Sequence, residues 1–301
     1  MTEQTLHRPF KPAASEADFA AHPTPTAQTE HPAYRLAFQD HDFLLREELR
    51  PVRFQLELLK PELLLAEAGI ASTFVFYGSA RIPAPEQVAE LEAAADSPER
   101  RAVVERLAAK ARYYEEARRL AFMASCQPCA DGQARHYVVC SGGGPSIMEA
   151  ANRGAHEAGG ISVGLNIVLP HEQLPNAFVT PGLSFQFHYF ALRKMHFLMR
   201  ARAVAVFPGG YGTFDELFEL LTLVQTGKMA PIPILLFGRS FWERVVNFEA
   251  LAEEGVIAAA DLKLFHFVET AEEAWAHVCE NGAQADVLTA MQPVGAGLPA
   301  G

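Results

Sequence analysis

A glycine-rich turn followed closely by a carboxylate is the part of the sequence best suited to chemistry. The turn is Pro208-Gly209-Gly210-Tyr211-Gly212-Thr213, and Glu216 comes three residues later. Glycines let the backbone bend sharply and approach a ligand closely, because they carry no Cβ. An apolar run before the turn predicts a strand, and a helix-spaced apolar run follows it. The first N–H groups of such a helix lack partners and favour an anion, so the pattern predicts a phosphate site.

The same residues also allow a purely structural interpretation. Thr213 and Glu216 have the spacing of a capping box, in which the threonine oxygen accepts a hydrogen bond from a helix amide and the glutamate accepts one from the cap residue. A strand, a glycine turn and a helix also occur together in proteins that bind no phosphate. The spacing alone leaves both interpretations open.

Three blocks of the sequence together resemble the Lonely Guy family of phosphoribohydrolases, whose members are often mislabelled lysine decarboxylases. The run from Pro208 to Glu216 has every fixed position of the family's PGGxGTxxE signature. The preceding predicted helix carries the family's Arg193-Lys194 pair. The third block, Gly142-Gly143-Gly144-Pro145-Ser146-Ile147-Met148-Glu149-Ala150, looks like the family's GGGPGIMEA segment with serine in place of one glycine. The resemblance covers roughly residues 73–278.

The resemblance implies hydrolysis of the bond between a base and ribose 5-phosphate in a nucleoside 5′-monophosphate. The products would be ribose 5-phosphate and a free purine base, such as adenine or a cytokinin. Such cleavage passes through a sugar with oxocarbenium character, which a carboxylate stabilises. Glu216 and Arg193 are therefore the expected catalytic residues. The expected substrate contacts are Ser79, Arg81, Gly142, Gly143, Gly144, Glu172, Lys194, Gly209, Gly210, Tyr211, Gly212, Thr213 and Thr222.

Three other functions fit parts of the pattern. A nucleotide-binding or carrier protein without catalysis would need the glycine loops but neither Glu216 nor Arg193, and it remains the main alternative. An amino-acid decarboxylase would need a lysine joined to pyridoxal phosphate, with its supporting groups, and no phosphate site predicted here is arranged around a lysine. A dinucleotide site would show GxGxxG and an acidic residue on the following strand, where this sequence offers Asn166. We therefore expect no cofactor.

The elements that must position these residues alternate between strands and helices. This order predicts an α/β, Rossmann-like fold, a doubly wound parallel sheet with helices on both faces. Loops at Gly78, Gly142 and Gly209 each follow a predicted strand, so they should meet along one sheet edge, where such sheets bind ligands. The predicted strands are 73–77, 137–140, 161–168, 203–207, 232–237 and 262–268.

The chain is predicted to form one domain with a loose segment at each end. Residues 1–37 lack any sustained period and predict a flexible tail. Residues 38–280 form the predicted domain, including an N-terminal helical extension, and residues 281–301 a second flexible tail. The predicted helix over residues 214–226 is apolar over much of its surface and must be covered. Because proteins of the similar family pair through this region, we expect a homodimer or a larger homo-oligomer.

Composition and charge argue against several classes of partner. The net charge of −11 is opposite to that of a typical nucleic-acid surface. No apolar run reaches the ~18 residues of a membrane helix and no signal peptide is evident, so we expect no membrane partner and a cytoplasmic location. Cys126 and Cys129 form a lone CxxC, which we interpret as loop thiols without function. No residues have metal-ligand spacing, so no metal site is expected.

Overall fold

The computed structural model of this chain describes residues 11–126, 134–170 and 174–290. The chain divides into two compact units, with the boundary between Glu57 and Leu58. The first unit contains the helices α1 (Ala13–Ala20) and α2 (His41–Leu44), and α1 lies within the segment predicted as a tail. The predicted domain boundaries at residues 37 and 280 stay predictions.

The second unit is built on one seven-stranded parallel sheet of order β4-β3-β2-β1-β5-β6-β7. The chain builds from β1 toward one edge, then returns to the other side of β1 with β5. This is the doubly wound arrangement, so the predicted fold class is confirmed. The strands are β1 (Thr73–Tyr77), β2 (Val138–Ser141), β3 (Ser162–Ile167), β4 (Ser184–Phe187), β5 (Ala201–Val206), β6 (Ile234–Phe237) and β7 (His266–Val268).

Helices cover both faces of this sheet. One face is covered by α6 (Arg112–Ser125), α7 (Ile147–Glu157) and α12 (Ala271–Ala290). The other is covered by α8 (Phe190–Met199), α9 (Tyr211–Gln225), α10 (Arg239–Val245) and α11 (Phe248–Glu253). The remaining helices are α3 (Arg50–Glu67), α4 (Val88–Ala93) and α5 (Pro98–Ala108).

Strand β1 shows how the core is divided between the two faces. Successive side chains of a strand point to opposite faces. Phe74 and Phe76 accordingly belong to one buried cluster, while Val75 and Tyr77 belong to the other. All five residues of β1 are buried, because it has a strand on each side and helices above and below. This burial explains why the strand reads as an unbroken apolar run.

Several elements differ from the prediction for identifiable reasons. The sequence did not predict β4, Ser184–Phe187, because Ser184 and Gln186 interrupt the continuous apolar run that marks a buried strand. The sequence pattern predicts one helix over residues 241–254. The structure has two helices there, α10 and α11, because Asn247 caps α11 by accepting a hydrogen bond from Ala250 N (3.0 Å). Helix α12 continues to Ala290, into the segment predicted as the second tail.

Candidate functional site

The candidate site lies where the sheet changes its direction of winding. β1 has β2 on one side and β5 on the other, so the loops that leave β1 and β5 lead to opposite halves of the sheet. In open parallel sheets a crevice forms outside the carboxyl ends of such strands and binds ligands. The two loops are tied together here, because Ser79 N donates a hydrogen bond to Pro208 O (3.1 Å). A cavity of about 850 Å³ lies beside them.

The first turn of α9 forms one wall of this cavity. α9 begins at Tyr211, after Gly210 at the N-cap position, and the first helical bond runs from Phe214 N to Gly210 O (3.1 Å). The amides of Tyr211, Gly212 and Thr213 therefore lie outside the helical ladder. Gly210, Gly212 and Thr213 line the cavity. This end of the helix thus offers N–H donors and the positive end of its dipole to a ligand.

The interpretation of Thr213 and Glu216 as a capping box is wrong. In a capping box the threonine precedes the first helical residue. Thr213 is instead the third residue of α9, and the N-cap position belongs to Gly210, which has no side chain. The preceding glycine has a packing role, because a Cβ on Gly209 would collide with the Thr213 side chain. Glu216 therefore does not form the capping box that the spacing suggested.

Glu216 is a buried carboxyl group on the cavity wall. It lies in the second turn of α9, and only 8% of the residue is exposed. Burial raises the pKa of Glu216 to about 7, although the positive charge of Arg193 opposes this shift. Arg193 Nη1 lies 3.8 Å from Glu216 Oε1. A carboxyl with such a pKa changes its charge near neutral pH, which suits a group that transfers protons or stabilises positive charge.

Arg193 projects from α8 toward this carboxyl. Its Nε donates a hydrogen bond to Leu165 O (2.7 Å), and its guanidinium lies over the Phe197 ring, 5.1 Å from the centroid. Burial lowers the pKa of Arg193, but an arginine remains a cation at neutral pH. A Cβ at Gly142 would lie 2.7 Å from Arg193 Nη2. Gly142 is therefore the residue that leaves room for the guanidinium.

The other two glycines of the second glycine loop, Gly143 and Gly144, contact asparagine side chains instead of the cavity. Gly143 has a left-handed backbone (φ +71°), and a Cβ there would lie 2.5 Å from Asn166 Oδ1. Asn176 Nδ2 donates hydrogen bonds to Gly143 O (3.1 Å) and Gly144 O (2.9 Å). Gly143 and Gly144 are buried and fixed by these contacts, whereas Gly142 faces the cavity.

Ser146 departs from the family segment, and the structure shows how the turn accommodates it. Its backbone has φ 66° and ψ −126°, a conformation that favours glycine. Its hydroxyl donates a short hydrogen bond to Ile82 O. This bond links the start of α7 to the segment after β1. The side chain thus offsets part of the strain that its own Cβ introduces.

The structure brings most of the predicted site residues to the cavity. Lys194 instead forms ion pairs through Nζ with Asp215 Oδ2 (2.9 Å) and Glu219 Oε2 (2.8 Å), which join α8 to α9. Thr222 is exposed, and its hydroxyl bonds back to its own helix. Glu172 lies outside the described residues. The predicted residues that line the cavity are Ser79, Arg81, Gly142, Arg193, Gly210, Tyr211, Gly212, Thr213 and Glu216.

Several cavity residues were not selected from the sequence. Tyr77 ends β1 directly before the first glycine loop, so its position at a strand's carboxyl end was a usable signal. Phe197 follows Arg193 by one helical turn and shares its face of α8. Phe214 and Val245 add apolar wall. Val245 belongs to α10, whose proximity to the site has no signature in the local sequence.

The described part of the chain offers neither a metal cluster nor a membrane span. Within it, no group of three or more histidine, cysteine, aspartate or glutamate side chains could hold a metal ion. None of its helices is both long and apolar enough to cross a bilayer. Of the CxxC pair, Cys126 is exposed, and Cys129 lies outside the described residues.

The sequence is similar to known proteins over the half that contains the catalytic candidates. A family model described as "Possible lysine decarboxylase" matches residues 148–278. A probable cytokinin riboside 5′-monophosphate phosphoribohydrolase of Oryza sativa subsp. japonica is 29% identical over 139 residues, 45% of this chain and 59% of the relative. A cytokinin riboside 5′-monophosphate phosphoribohydrolase of Arabidopsis thaliana is 26% identical over 139 residues, 45% of this chain and 63% of the relative. The match thus spans about three fifths of these relatives' length.

Solved structures are similar at lower identity. A Moco carrier protein from Chlamydomonas reinhardtii is 19% identical, with a TM-score of 0.41, covering 71% of this chain and 98% of that chain. A structural-genomics target, TM1055, is 21% identical, with a TM-score of 0.41, covering 69% of this chain and 99% of that chain. At these values the likeness bears on neither activity nor ligand.

Proposed function

Residues 148–278 belong to the Lonely Guy family, and from this premise we propose that the chain is a nucleoside 5′-monophosphate phosphoribohydrolase. The enzyme would hydrolyse the N-glycosyl bond of its substrate. It would release ribose 5-phosphate and a purine base, such as adenine or a cytokinin. The names of the curated relatives support this reaction class.

One observation carries the proposal: a buried carboxyl and a guanidinium group whose side chain is 14% exposed lie together about one helical turn from a helix terminus suited to phosphate. The unpaired amides of α9 end at Thr213, and Glu216 follows on the cavity wall with Arg193 beside it. A nucleotide whose phosphate binds these amides can direct its sugar toward Glu216. Charged groups that lie in a cavity, with pKa values shifted by loss of contact with water, are typical of functional sites.

In the proposed reaction, water adds across the bond between the anomeric carbon and the base nitrogen. The hydroxyl joins the anomeric carbon, and the base nitrogen receives a proton. Positive charge develops on the sugar as the base departs. Ionised Glu216 stabilises that charge or takes the proton of the attacking water. The positive charge of Arg193 favours the ionised carboxylate. The guanidinium group can also donate a hydrogen bond to a ribose hydroxyl or to the departing base.

The remaining cavity wall suits a purine ring. Phe197, Phe214, Val245 and Met148 contribute apolar surface. Small-molecule sites commonly combine such walls with a few well-placed polar groups. The cavity volume of about 850 Å³ is also within the usual range for such sites. We propose AMP and its prenylated analogues as the substrates to compare first.

Turnover of a panel of nucleoside monophosphates tests the proposal. Wild-type protein should release free base and ribose 5-phosphate, both measurable by chromatography. Glu216→Gln should lower kcat on the order of a hundredfold or more, the scale for a positioned acid–base group. The Kd for AMP should change little, because the amides of α9 are untouched. Asp215→Asn is the matched control: its neighbouring carboxylate is exposed and bound to Lys194, so its effect should be milder.

Two results would contradict the proposal in different ways. A wild-type protein that binds AMP but releases no base from any nucleotide would be the binding or carrier protein of the alternative interpretation. A Glu216→Gln variant with near wild-type turnover would show that another group supplies the catalytic charge.

The 5′-phosphate should be required for efficient turnover. The first turn of α9 offers backbone amides to an anion, and hydrogen bonds to charged groups are stronger than those to neutral ones. We expect kcat/KM for adenosine to be on the order of a hundredfold below that for AMP, as for two charge-assisted hydrogen bonds. Parallel initial rates with both substrates measure this ratio. Equal values would place the phosphate outside the first turn of α9.

A further inference from the structure

Tyr77 lines the cavity and carries a buried phenol hydroxyl that the mechanism above does not use. Tyr77 is the last residue of β1 and is 5% exposed. It lines the cavity together with Glu216 and Arg193. Its hydroxyl is buried and has no hydrogen-bond partner among the described residues. Buried polar groups are nearly always hydrogen-bonded, so this exception calls for an acceptor.

The ring of Tyr77 is held in place, so the acceptor must come to it. Phe207 N donates a hydrogen bond to Tyr77 O (2.8 Å), and Tyr77 is in register with Val206 of β5. The ring meets Phe197 edge-on, with centroids 5.0 Å apart and an interplanar angle of 75°. Phe197 also carries the Arg193 guanidinium on its face. The phenol and the guanidinium are therefore positioned by one shared aromatic side chain.

The surroundings of Tyr77 keep its hydroxyl in the donor form. Burial, and then the negative charge of Glu216, raise the pKa of Tyr77 well above its ordinary value. A protonated phenol can donate one hydrogen bond. The missing partner is therefore a hydrogen-bond acceptor that enters the cavity.

We propose that the Tyr77 hydroxyl donates a hydrogen bond to a ribose hydroxyl oxygen of the bound nucleoside monophosphate, an inference that rests on the proposed function. The phosphate is assigned to the amides of α9, and the base must leave the site. Tyr77 lines the cavity together with Glu216 and Arg193, beside which the sugar is expected. Tyr77 would thus distinguish nucleotides by their sugar.

Binding to Tyr77→Phe tests this role, because the variant removes only the hydroxyl. Calorimetry at pH 7 would compare AMP, 2′-deoxy-AMP and 3′-deoxy-AMP, in the Glu216→Gln background if turnover interferes. We expect AMP to bind Tyr77→Phe about tenfold more weakly, as for the loss of one hydrogen bond. The difference between the two proteins should vanish for the deoxynucleotide that lacks the bonded hydroxyl.

Tyr114→Phe is the matched control. The Tyr114 hydroxyl already donates a hydrogen bond to Glu149 Oε1 (2.9 Å), so its removal should lower Tm and leave the preference among the three nucleotides unchanged. Tyr77→Phe loses no internal hydrogen bond and should keep or raise the Tm of the ligand-free protein.

Two outcomes would overturn the role of Tyr77. Wild-type affinity of Tyr77→Phe for AMP would do so, as would an equal loss of affinity for all three nucleotides. Failure of the proposed function is a separate result, namely no base released by the wild-type protein, because the binding ratios do not depend on turnover.

Discussion

Glu216 experiences two opposing influences within one cavity. Burial disfavours its charge, while Arg193 favours that charge from 3.8 Å away. Burial is the larger effect, so the pKa rises to about 7 instead of falling. The carboxyl is consequently divided between its two forms at neutral pH. A ligand that excludes water or brings new charge can shift that balance.

The pH dependence of turnover should follow this carboxyl. With a raised pKa, Glu216 is protonated below about pH 7 and ionised above it. Because the ionised form stabilises the developing sugar cation, kcat/KM for AMP, which reports the ligand-free enzyme, should rise with pH and reach half of its plateau near pH 7. Initial rates at low AMP concentration between pH 5 and 9 measure this. A kcat/KM that falls through the same range would mean that the protonated carboxyl is the active form. Asp215→Asn should move the midpoint only slightly lower, because the charge of Asp215 is a minor cause of the raised pKa of Glu216.

The sequence identified the charged residues of the cavity wall but not their surroundings. Glu216 and Arg193 were predicted from a signature and its spacing, and both line the cavity. Tyr77 was predicted only as part of a strand, because nothing in a local pattern distinguishes its hydroxyl from a core side chain. The pKa of Glu216 depends on burial by elements that are distant in the chain. The spacing of residues within a motif carries no information about that burial.

At the scale of elements, the turn from β2 into α7 combines strain with a compensating bond. Ser146 holds a backbone conformation that favours glycine, and its hydroxyl bonds to Ile82 O. Strain of this kind costs on the order of 1–3 kcal/mol. A lost buried hydrogen bond costs a similar amount. The two contributions can be separated by substitution.

Ser146→Ala should be less stable than Ser146→Gly. Alanine keeps the strained Cβ and loses the hydrogen bond, so the free energy of unfolding should fall by about 1–3 kcal/mol. Glycine also loses the bond but relieves the strain, so its stability should lie closer to that of the wild type. Urea denaturation of the three proteins gives the order. A glycine variant less stable than the alanine variant would show that strain is unimportant here.

Element types were predictable where the apolar pattern is long, and boundaries were not. The buried run of β1 predicted its strand correctly. The start of α9 was predicted at Phe214, but the helix begins at Tyr211. Gly212 has a low helix propensity, yet it lies within the first turn, because the helical ladder already begins with the hydrogen bond from Phe214 N to Gly210 O.

At the scale of the whole molecule, the reason to expect self-association has shifted from α9 to α8. Leu217, Leu220 and Val224 of α9 are buried by the chain's own residues. Large apolar side chains of α8 remain exposed, including Met195 (48%) and Met199 (42%). Exposed apolar groups that lie close together commonly mark interfaces.

We expect the protein to be a homodimer or a larger homo-oligomer at micromolar concentration. Static light scattering should give at least twice the mass of one chain. Met195→Glu should lower that mass toward one chain, because it would bury a charge without a partner in the interface. Thr222→Glu on the exposed side of α9 is the comparison that should leave the mass unchanged if α8 forms the contact. A single-chain mass for the wild type would contradict the expectation.

The fold class was within reach of the sequence, but the neighbours of each strand were not. Alternating strands and helices predicted a doubly wound parallel sheet. The pairing of β1 with β5, which creates the site, joins segments more than a hundred residues apart. No local pattern specifies that pairing; it follows from right-handed crossovers and from burial of both sheet faces.

The central place of β1 also bears on how the protein is synthesised. Chains emerge from the ribosome with the N-terminus first. The strands β2, β3 and β4 therefore emerge while one edge of β1 still awaits β5. The unpaired edge of β1 includes Val75 and Phe76, which are buried once the sheet is complete. Apolar strand edges readily pair with other chains, so a nascent chain that stalls before Ala201 exposes the middle of its sheet to aggregation. Arrival of β5 closes that edge, and α9 and α10, which follow β5 in the chain, then supply the rest of the cavity wall.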